Sequence, residues 1–275
     1  MNAFTNHFSF EFRTGIRDKN LLLMNYLFPI GLYAMLGFLM TELNPLFSET
    51  IIPAMIVVAI MSSTVLSLPT PLVTSREAGI FRSYKINGVP AISILTMPAL
   101  TTVAHMVVVA VIITATAPLF FNAPPPVNWP GFILFFFLAA FAHAGLGLLI
   151  SVIASNTRAI VLWSQLVFLP SMMIGGLMIP YSMLPDVFSR VALLLPATHT
   201  MNVFQGLAQN QVTAFAPLWS VLILLSGGIL SFGLANYLFC WDSHNKTRHK
   251  YPALATIALL PYVLGIILLY SFLLT

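Results

Sequence analysis

The chain has 275 residues, of which 59% are hydrophobic and only 7% charged. A soluble domain carries about 25% charged residues, so this composition excludes a water-soluble globular protein and requires a bilayer as part of the solvent. The formal net charge of +4 is accounted for by contact with anionic lipid headgroups and requires no nucleic-acid partner. The single cysteine, Cys240, excludes an intrachain disulfide.

The N-terminal segment predicts a helix that lies in the plane of the membrane surface. Its charged residues interrupt any continuous apolar core, which is unlike a signal peptide. Its apolar side chains recur every four positions and would form one helix face, made of Phe4, Phe8, Phe12 and Ile16. Such a stripe is typical of an interfacial helix, here at about residues 3–19, with a flexible tail as the alternative.

Seven apolar blocks follow, and each is long enough to cross a bilayer, which takes about 20 apolar residues. Six lie at about 21–40, 51–73, 91–121, 131–154, 160–179 and 215–239, and a seventh follows a basic loop within residues 242–275. The second block contains Pro53, Pro69 and Pro71, so we expect its inner end to be kinked or unwound.

The Lys and Arg residues predict the orientation of these spans. If the blocks alternate across the membrane, ten of the 11 cations fall on one side and only Arg190 on the other. The ten are Arg13, Arg17, Lys19, Arg76, Arg82, Lys85, Arg158, Lys246, Arg248 and Lys250. The positive-inside rule therefore predicts a multi-pass protein of the cell's inner (cytoplasmic) membrane, with its N-terminus in the cytoplasm and its C-terminus outside.

The loop after the second block predicts a short basic helix on the cytoplasmic side. Ser75 is a suitable first residue for this helix, and Gly88 with Pro90 ends it. The helix would present Phe81 and Tyr84 among cations. Charges at the rim of such a surface orient a partner and a buried aromatic supplies binding energy, although topological anchoring alone explains the cations equally well.

The segment after the fifth block predicts a pair of outer helices. Gly175 and Gly176 allow the fifth helix to break or another backbone to approach. Three prolines then turn the chain back along the membrane: Pro180, Pro185 and Pro196. Two amphipathic pieces, Met183–Leu195 and Ala197–Gln209, fit re-entrant or interfacial helices, which would act as a gate over a central pathway.

Several motifs together resemble the type-2 ABC transporter permease family. They are Arg76-Glu77-x-Gly79 with Gly88-Val89-Pro90 at the end of its loop, Gly175-Gly176-x-x-x-Pro180, Leu184-Pro185, Pro196-Ala197-Thr198-His199 and Phe239-Cys240-Trp241. The resemblance covers about residues 1–241. It implies an all-α integral membrane fold with six spans, an N-terminal interfacial helix and outer re-entrant helices before span six, to which this chain adds a seventh span.

The resemblance also implies a function, that of the permease subunit of an ABC exporter for a hydrophobic drug, antibiotic or lipid-like substrate. The chain has no phosphate-binding Gly-x-x-x-x-Gly-Lys-Ser/Thr loop. We therefore expect a non-catalytic subunit that binds no cofactor or metal, with ATP and Mg²⁺ on two copies of a separate ATP-binding subunit. A second permease chain, identical or a similar paralogue, would complete the pathway. The matched coupling residues are Arg76, Glu77, Gly79, Arg82, Tyr84 and Lys85.

Two other classes of function stay open at this stage. An ion-driven secondary transporter needs ionisable groups deep in the membrane, and only His105 and His143 fit that position. An intramembrane enzyme needs a nucleophile with a base, or a metal cluster. His244 and His249 near Asp242 are the only metal candidates, and the cations of their loop oppose binding.

Polar and small residues inside the spans have two interpretations each. The polar ones either line the pathway or bond between helices: Asn25, Ser62, Ser63, Thr64, Thr101, Thr102, Gln165 and Ser171. The glycines either allow close packing of two permease chains or are merely the glycines common in membrane helices: Gly31, Gly37, Gly145 and Gly147.

Overall fold

The computed structural model describes residues 3–241 and 252–273 and folds them into a bundle of helices. In chain order these are α1 (Ala3–Arg17), α2 (Lys19–Leu43), α3 (Ile51–Glu77), α4 (Ile80–Ile86), α5 (Ala91–Phe121), α6 (Trp129–Ile153), α7 (Thr157–Ile174), α8 (Asp186–Ala192), α9 (Pro196–Val203), α10 (Pro217–Leu238) and α11 (Leu260–Leu273). Within the described ranges, six of them are long and apolar enough to cross a membrane: α2, α3, α5, α6, α7 and α10. The predicted all-α membrane fold is therefore confirmed for this part of the chain.

The six spans define two ends of the bundle. We call the end that carries α4 and the α6–α7 loop the inner end, and the end that carries the α5–α6 loop, α8 and α9 the outer end. The span predicted at 160–179 stops at Ile174, because Gly175 and the left-handed Gly176 (φ 84°) end the helix. The other predicted boundaries agree with the observed ones to within a few residues, except at the inner end of α3.

Helix α3 is the centre of the bundle. Every residue from Ile51 to Met61 is buried, as expected for a helix that is apolar on all sides. The inner end is not unwound at its prolines: a π turn, Ser62–Ser67, precedes them, and the helix then continues through Pro69 and Pro71 to Glu77. The hydroxyl of Ser164 on α7 donates to the carbonyl of Val65 in this turn at 2.6 Å. Such a bond satisfies a polar backbone group that lipid could not satisfy.

Close packing of α6 depends on its two glycines. A β-carbon at Gly145 would lie 3.1 Å from the carbonyl oxygen of Gly228 on α10, and one at Gly147 would overlap the carbonyl oxygen of Thr64 on α3. Gly37 likewise meets the ring of Phe121. These three glycines therefore pack within the chain, which corrects the interpretation that they serve contact between two chains; Gly31 faces open space.

The two predicted outer helices differ from each other. Helix α8 is largely exposed, with Val187 and Phe188 more than half accessible. Helix α9 is buried along its whole length, Pro196–Val203, and a π turn, Phe204–Ala208, continues it. It packs against α3, α6, α7 and α10. Of the two alternatives for this piece, the structure favours insertion between the spans over an interfacial position.

The C-terminal segment packs along α10 in the opposite direction. A 3-10 segment, Pro252–Leu259, precedes α11. Ala258 packs into the cluster of Ala235 and Phe239 near the inner end of α10. Farther along, the ring of Tyr262 lies against Gly227, and Gly265 lies against Ile223. Helix α11 by itself, with 14 residues, is shorter than the six spans.

Candidate functional site

The inner end of the bundle presents helix α4 as a separate surface. Gly79 has a left-handed backbone (φ 74°), which breaks the chain between α3 and α4 and favours glycine because a β-carbon would be strained there. Gly88, also left-handed (φ 73°), ends α4 before Pro90, as predicted. The predicted start at Ser75 is wrong, because α3 continues to Glu77 and α4 begins at Ile80.

Helix α4 has an internal and an external face. Phe81 is buried, with its ring centre 5.5 Å from that of Phe239 at the end of α10. Arg82, Lys85 and Ile86 are exposed, and Ile86 is 85% accessible. Phe81 therefore holds α4 on its own bundle and is not presented to a partner as the sequence predicted. The external face combines cations with an exposed aliphatic side chain.

The six residues matched as coupling residues divide into three groups. Arg82 and Lys85 lie on the external face of α4, and Glu77 is exposed at the end of α3, where its carboxylate accepts from the hydroxyl of Thr157 at 3.4 Å. Gly79 and the half-buried Tyr84 shape the turn and the edge of α4. Arg76 differs from the rest, because its side chain is buried, on α3, and bonded to backbone carbonyls of α6.

Helix α1 packs on α5 near the same end. The ring of Phe12 stacks on that of His105 with centres 4.3 Å apart, and Gly15 is close enough that a β-carbon would meet the Nε2 atom of His105 at 2.5 Å. Ile16 is exposed and Phe8 half-buried. The side chain of Phe4 lies outside the described residues. The predicted stripe therefore divides, with Phe12 in a contact inside the chain and Ile16 on the surface.

A cavity of about 310 Å³ lies between α1, α4 and the spans α2, α3 and α5. Its wall includes Gly15, Asn25, Tyr84, Thr101, Thr102 and His105. The Oδ1 atom of Asn25 and the Nε2 atom of His105 are buried and have no hydrogen-bond partner among the described residues. The structure thus brings Asn25, Thr101 and Thr102, three of the predicted pathway residues, to the wall of one cavity.

A second opening of about 450 Å³ lies between α2, α3 and α7. Its polar wall includes Asn20, Thr70, Thr74 and Gln165. The Oε1 atom of Gln165 lacks a hydrogen-bond partner among the residues described. We call this opening the inner cleft; it is a chemically mixed surface on the inner half of three spans.

The remaining predicted pathway residues do not face an opening. Ser62, Thr64 and Ser171 donate to carbonyls of their own helices, three or four residues earlier. Such bonds are the usual way for a hydroxyl in a membrane helix to be satisfied. Ser63 is fully buried and its hydroxyl has no partner among the described atoms. The structure does not bring these four to either opening.

At the outer end, a buried polar cluster holds α9 in place. His199 contacts the hydroxyl of Ser220 through Nδ1 at 3.1 Å and the carbonyl of Leu193 through Nε2 at 2.9 Å. Asn202 donates to Ser220 at 3.1 Å and to the carbonyl of Phe215 at 3.2 Å. Burial lowers the pKa of His199 to about 4, so its imidazole is neutral near pH 7.

The sequence interpretation overlooked this cluster. It counted only His105 and His143 as deep histidines, although His199 stands in the Pro-Ala-Thr-His motif that carried the resemblance. The predicted gate residues flank the cluster. Gly175 and Gly176 form the break after α7, Pro180 and Pro185 enclose the short turn before α8, and Pro196 begins α9.

Two of the histidines that would serve the alternative functions form hydrogen bonds within the chain. His105 bonds through Nδ1 to the hydroxyl of Tyr26 at 2.7 Å, and His143 bonds through Nδ1 to the carbonyl of Ala139 at 2.9 Å. His244, His249 and Asp242 lie outside the described residues. Within the described ranges, no group of three or more metal-ligating side chains comes together.

These features define a class, that of multi-pass helical membrane proteins with a separate helix at one end and an inserted helix at the other. The chain belongs to the ABC-2 type transporter family, whose model matches residues 4–209. It is thus a permease subunit of an ABC transporter, and membership implies an ABC ATP-binding subunit as its partner. No curated protein and no solved structure matches the chain.

Proposed function

We propose that this permease works as an exporter in the cell's inner membrane, with its N-terminus in the cytoplasm. In this proposal two permease chains, identical or similar, form the pathway, and two copies of the ATP-binding subunit supply ATP hydrolysis with Mg²⁺. The C-terminus lies outside. The family supports the permease role and the kind of partner, and the distribution of cations supports the orientation.

The external face of α4 is the observation that carries the proposal. Ile86 is 85% accessible and lies beside the exposed Arg82 and Lys85, next to a helix end with the exposed Glu77. An exposed aliphatic side chain with charges around it suits a partner that has an apolar pocket and an acidic rim. Helix α4, with α1 near it across the shared cavity, is therefore the proposed docking surface for the ATP-binding subunit.

The substrate would cross along the inner cleft and leave beneath α8 and α9. The cleft joins polar groups such as Gln165 to apolar side chains such as Leu66 and Val161, which suits an amphiphilic molecule with a hydrophobic body. This mixed lining supports a hydrophobic drug, an antibiotic or a lipid-like compound as the substrate. The glycine break at Gly175 and Gly176 and the prolines Pro180, Pro185 and Pro196 would act as the outer gate.

Transport would follow from rigid-body motion of the spans. When the ATP-bound subunits close, they would push the two α4 helices, and each α4 is fixed to its own bundle by Phe81 against Phe239. A helix held by a buried aromatic side chain transmits displacement to the helices that surround it. The push at the inner end would then open the outer end.

Co-purification tests this proposal. The tagged chain, isolated in mild detergent from its native host, should carry an ATP-binding subunit in a one-to-one ratio and hydrolyse ATP. The double variant Lys85→Glu with Ile86→Glu changes only exposed side chains of α4. We expect it to reduce the bound subunit at least about tenfold, since changes at the centre of an interface cost about 2 kcal/mol or more.

Val212→Glu is the matched control, because Val212 is a fully exposed apolar residue at the outer end. It should insert and bind the ATP-binding subunit as the wild type does. A chain that purifies alone and without ATPase activity, in detergent and in nanodiscs, would refute the proposal. The alternative of an ion-driven carrier would then direct attention to His105 and His143.

A further inference from the structure

Arg76 is the one matched coupling residue that is fully buried. It lies in the last turn of α3 and is 3% accessible. Its Nη1 atom donates to the carbonyls of Ser151 and Val152 at 3.2 Å each, and its Nη2 atom donates to the carbonyl of Ala154. A single side chain thus joins the inner end of α3 to that of α6.

The three carbonyls are those expected to need a donor. Helix α6 ends at Ile153 with Ala154 as its C-cap, and the last four carbonyls of such a helix end, here those of residues 151–154, have no intrahelical partner. They also carry the partial negative charge of the helix dipole, which attracts a cation. A guanidinium group is planar and offers several N–H groups at once, whereas a lysine ammonium is a single point charge on a flexible chain.

The next residue extends the connection to α7. Glu77 accepts a hydrogen bond from Thr157, the first residue of that helix, at 3.4 Å. Residues 76 and 77 therefore contact both sides of the short α6–α7 loop. Helix α4 begins only three residues later, after the turn at Gly79. The two contacts stand between the proposed docking surface and two of the spans.

We propose that Arg76 is a positioning residue that makes the inner ends of α3 and α6 move as one unit when α4 is displaced. The inference rests on the proposed function, because the displacement comes from the ATP-binding subunit. Arg76 touches neither that subunit nor the substrate. Its role is to direct the displacement of α4 into α6 and α7. Without it, α3 would bend at the π turn Ser62–Ser67 or at Pro69 and Pro71, and α6 and α7 would not follow.

Distances between spin labels test this role without knowledge of the substrate. The labels go on cysteines introduced at Ser83 on α4 and Ser155 in the α6–α7 loop, which are both exposed; the native Cys240 is buried. The complex of full-length permease and ATP-binding subunit is measured without nucleotide and after trapping with ATP and vanadate. In the wild type we expect the 83–155 distance to stay constant.

Arg76→Gln should release this constraint. We expect the distance in this variant to change on the order of 5 Å between the two states, the scale of helix displacement in such transitions, while bound subunit stays within about twofold of wild type. Arg76→Lys keeps the charge but not the planar set of N–H donors, and should give an intermediate change in the 83–155 distance. Arg158→Gln, which removes an exposed cation from the same end, is the control and should behave as the wild type does.

Two results would overturn the role of Arg76: a wild-type distance that changes between states, or an Arg76→Gln distance that stays constant while the complex hydrolyses ATP. If Arg76→Gln does not fold, the wild type and Arg76→Lys provide the test. An 83–155 distance in Arg76→Lys that equals the distance in Arg158→Gln, both without nucleotide and after trapping, also overturns the role of Arg76. Failure of the wild-type chain to bind an ATP-binding subunit contradicts the proposed function instead. The two failures are therefore distinguishable.

Discussion

His199 is a buried side chain that we expect to make the stability of the outer end sensitive to pH. Its imidazole lies between Leu193 and Ser220 and faces the ring of Tyr262, the titratable neighbour, at 5.8 Å between ring centres. Burial lowers its pKa from 6.5 to about 4. As the pH falls below about 6.5, the unfolded chain takes up a proton that the folded chain does not, so the folded state loses stability until about pH 4.

We expect the wild type to lose about 2 kcal/mol more unfolding free energy than His199→Gln between pH 7 and pH 5, since one pKa unit corresponds to about 1.4 kcal/mol. Glutamine keeps a donor and an acceptor for the same neighbours but does not titrate. Thermal unfolding of both proteins in detergent at the two pH values provides the comparison. Parallel loss of stability in the two proteins would contradict a neutral, buried His199.

Residue identity alone predicted some polar roles and missed others. A serine or threonine in an apolar block has two outcomes, and only the fold decides between them: Thr64 bonds its own helix, whereas Thr102 lines the inner cavity. Phe81 was expected at an interface because it stands among cations, yet Phe239, 158 positions away, covers it. Contacts between residues so distant in the chain leave no local pattern.

At the scale of elements, hydrophobic length predicted the spans well and local capping signals predicted α4 less well. Ser75 is a suitable helix start, but Arg76 finds acceptors at the end of α6, which is consistent with α3 continuing to Glu77. The stop at Gly88 and Pro90 was predictable because a left-handed glycine and a proline act locally. The buried position of α9 was not predictable from the sequence, because its amphipathic pattern also fits a helix on the membrane surface.

The predicted seventh span is the element whose topology the sequence leaves most open, and this topology can be measured. The 3-10 segment Pro252–Leu259 and α11 together contain 22 residues in the described range. At about 2.0 Å and 1.5 Å per residue they extend about 37 Å, enough for a bilayer core of about 30 Å. Their antiparallel course along α10, from Phe239 to Ile223, directs the chain from the inner to the outer end.

We therefore expect a reporter fused after Thr275 to lie outside the cell and one fused after Trp241 to lie inside. Alkaline phosphatase, which folds only outside, should be active in the first fusion and inactive in the second, and a fluorescent protein should show the reverse. Fusion in the outer loop at Val127, which is exposed, is a positive control for phosphatase. Inactive phosphatase after Thr275 would place the C-terminus inside and leave a six-span chain.

For the whole molecule, the source of energy separates an ATP-driven exporter from an ion-driven carrier. The charged side chains of the six described spans lie near their ends: Lys19, Glu42, Arg76, Glu77 and Arg158. The buried His105 and His143 are bonded to neighbours inside the chain. Charges placed only at the ends give a pH gradient little to act on at the centre of the bilayer, so the driving force should come from the partner subunit.

A single spin label at Val212, at the outer end of the bundle, tests assembly and energy source together. Because closed homodimers are the commonest assemblies, we expect one defined distance between two copies of the chain, and a change on the order of 5 Å when ATP and vanadate are added to the complex. A step from pH 7.5 to about 6 without nucleotide should leave it unchanged, since in the proposed exporter the spans are moved by the ATP-binding subunit and not by a proton gradient. If no distance between two labels at position 212 is observed, the second permease chain of the assembly must be a different one. A change driven by pH alone would favour the ion-driven carrier, in which the membrane histidines, rather than a push on α4, move the spans.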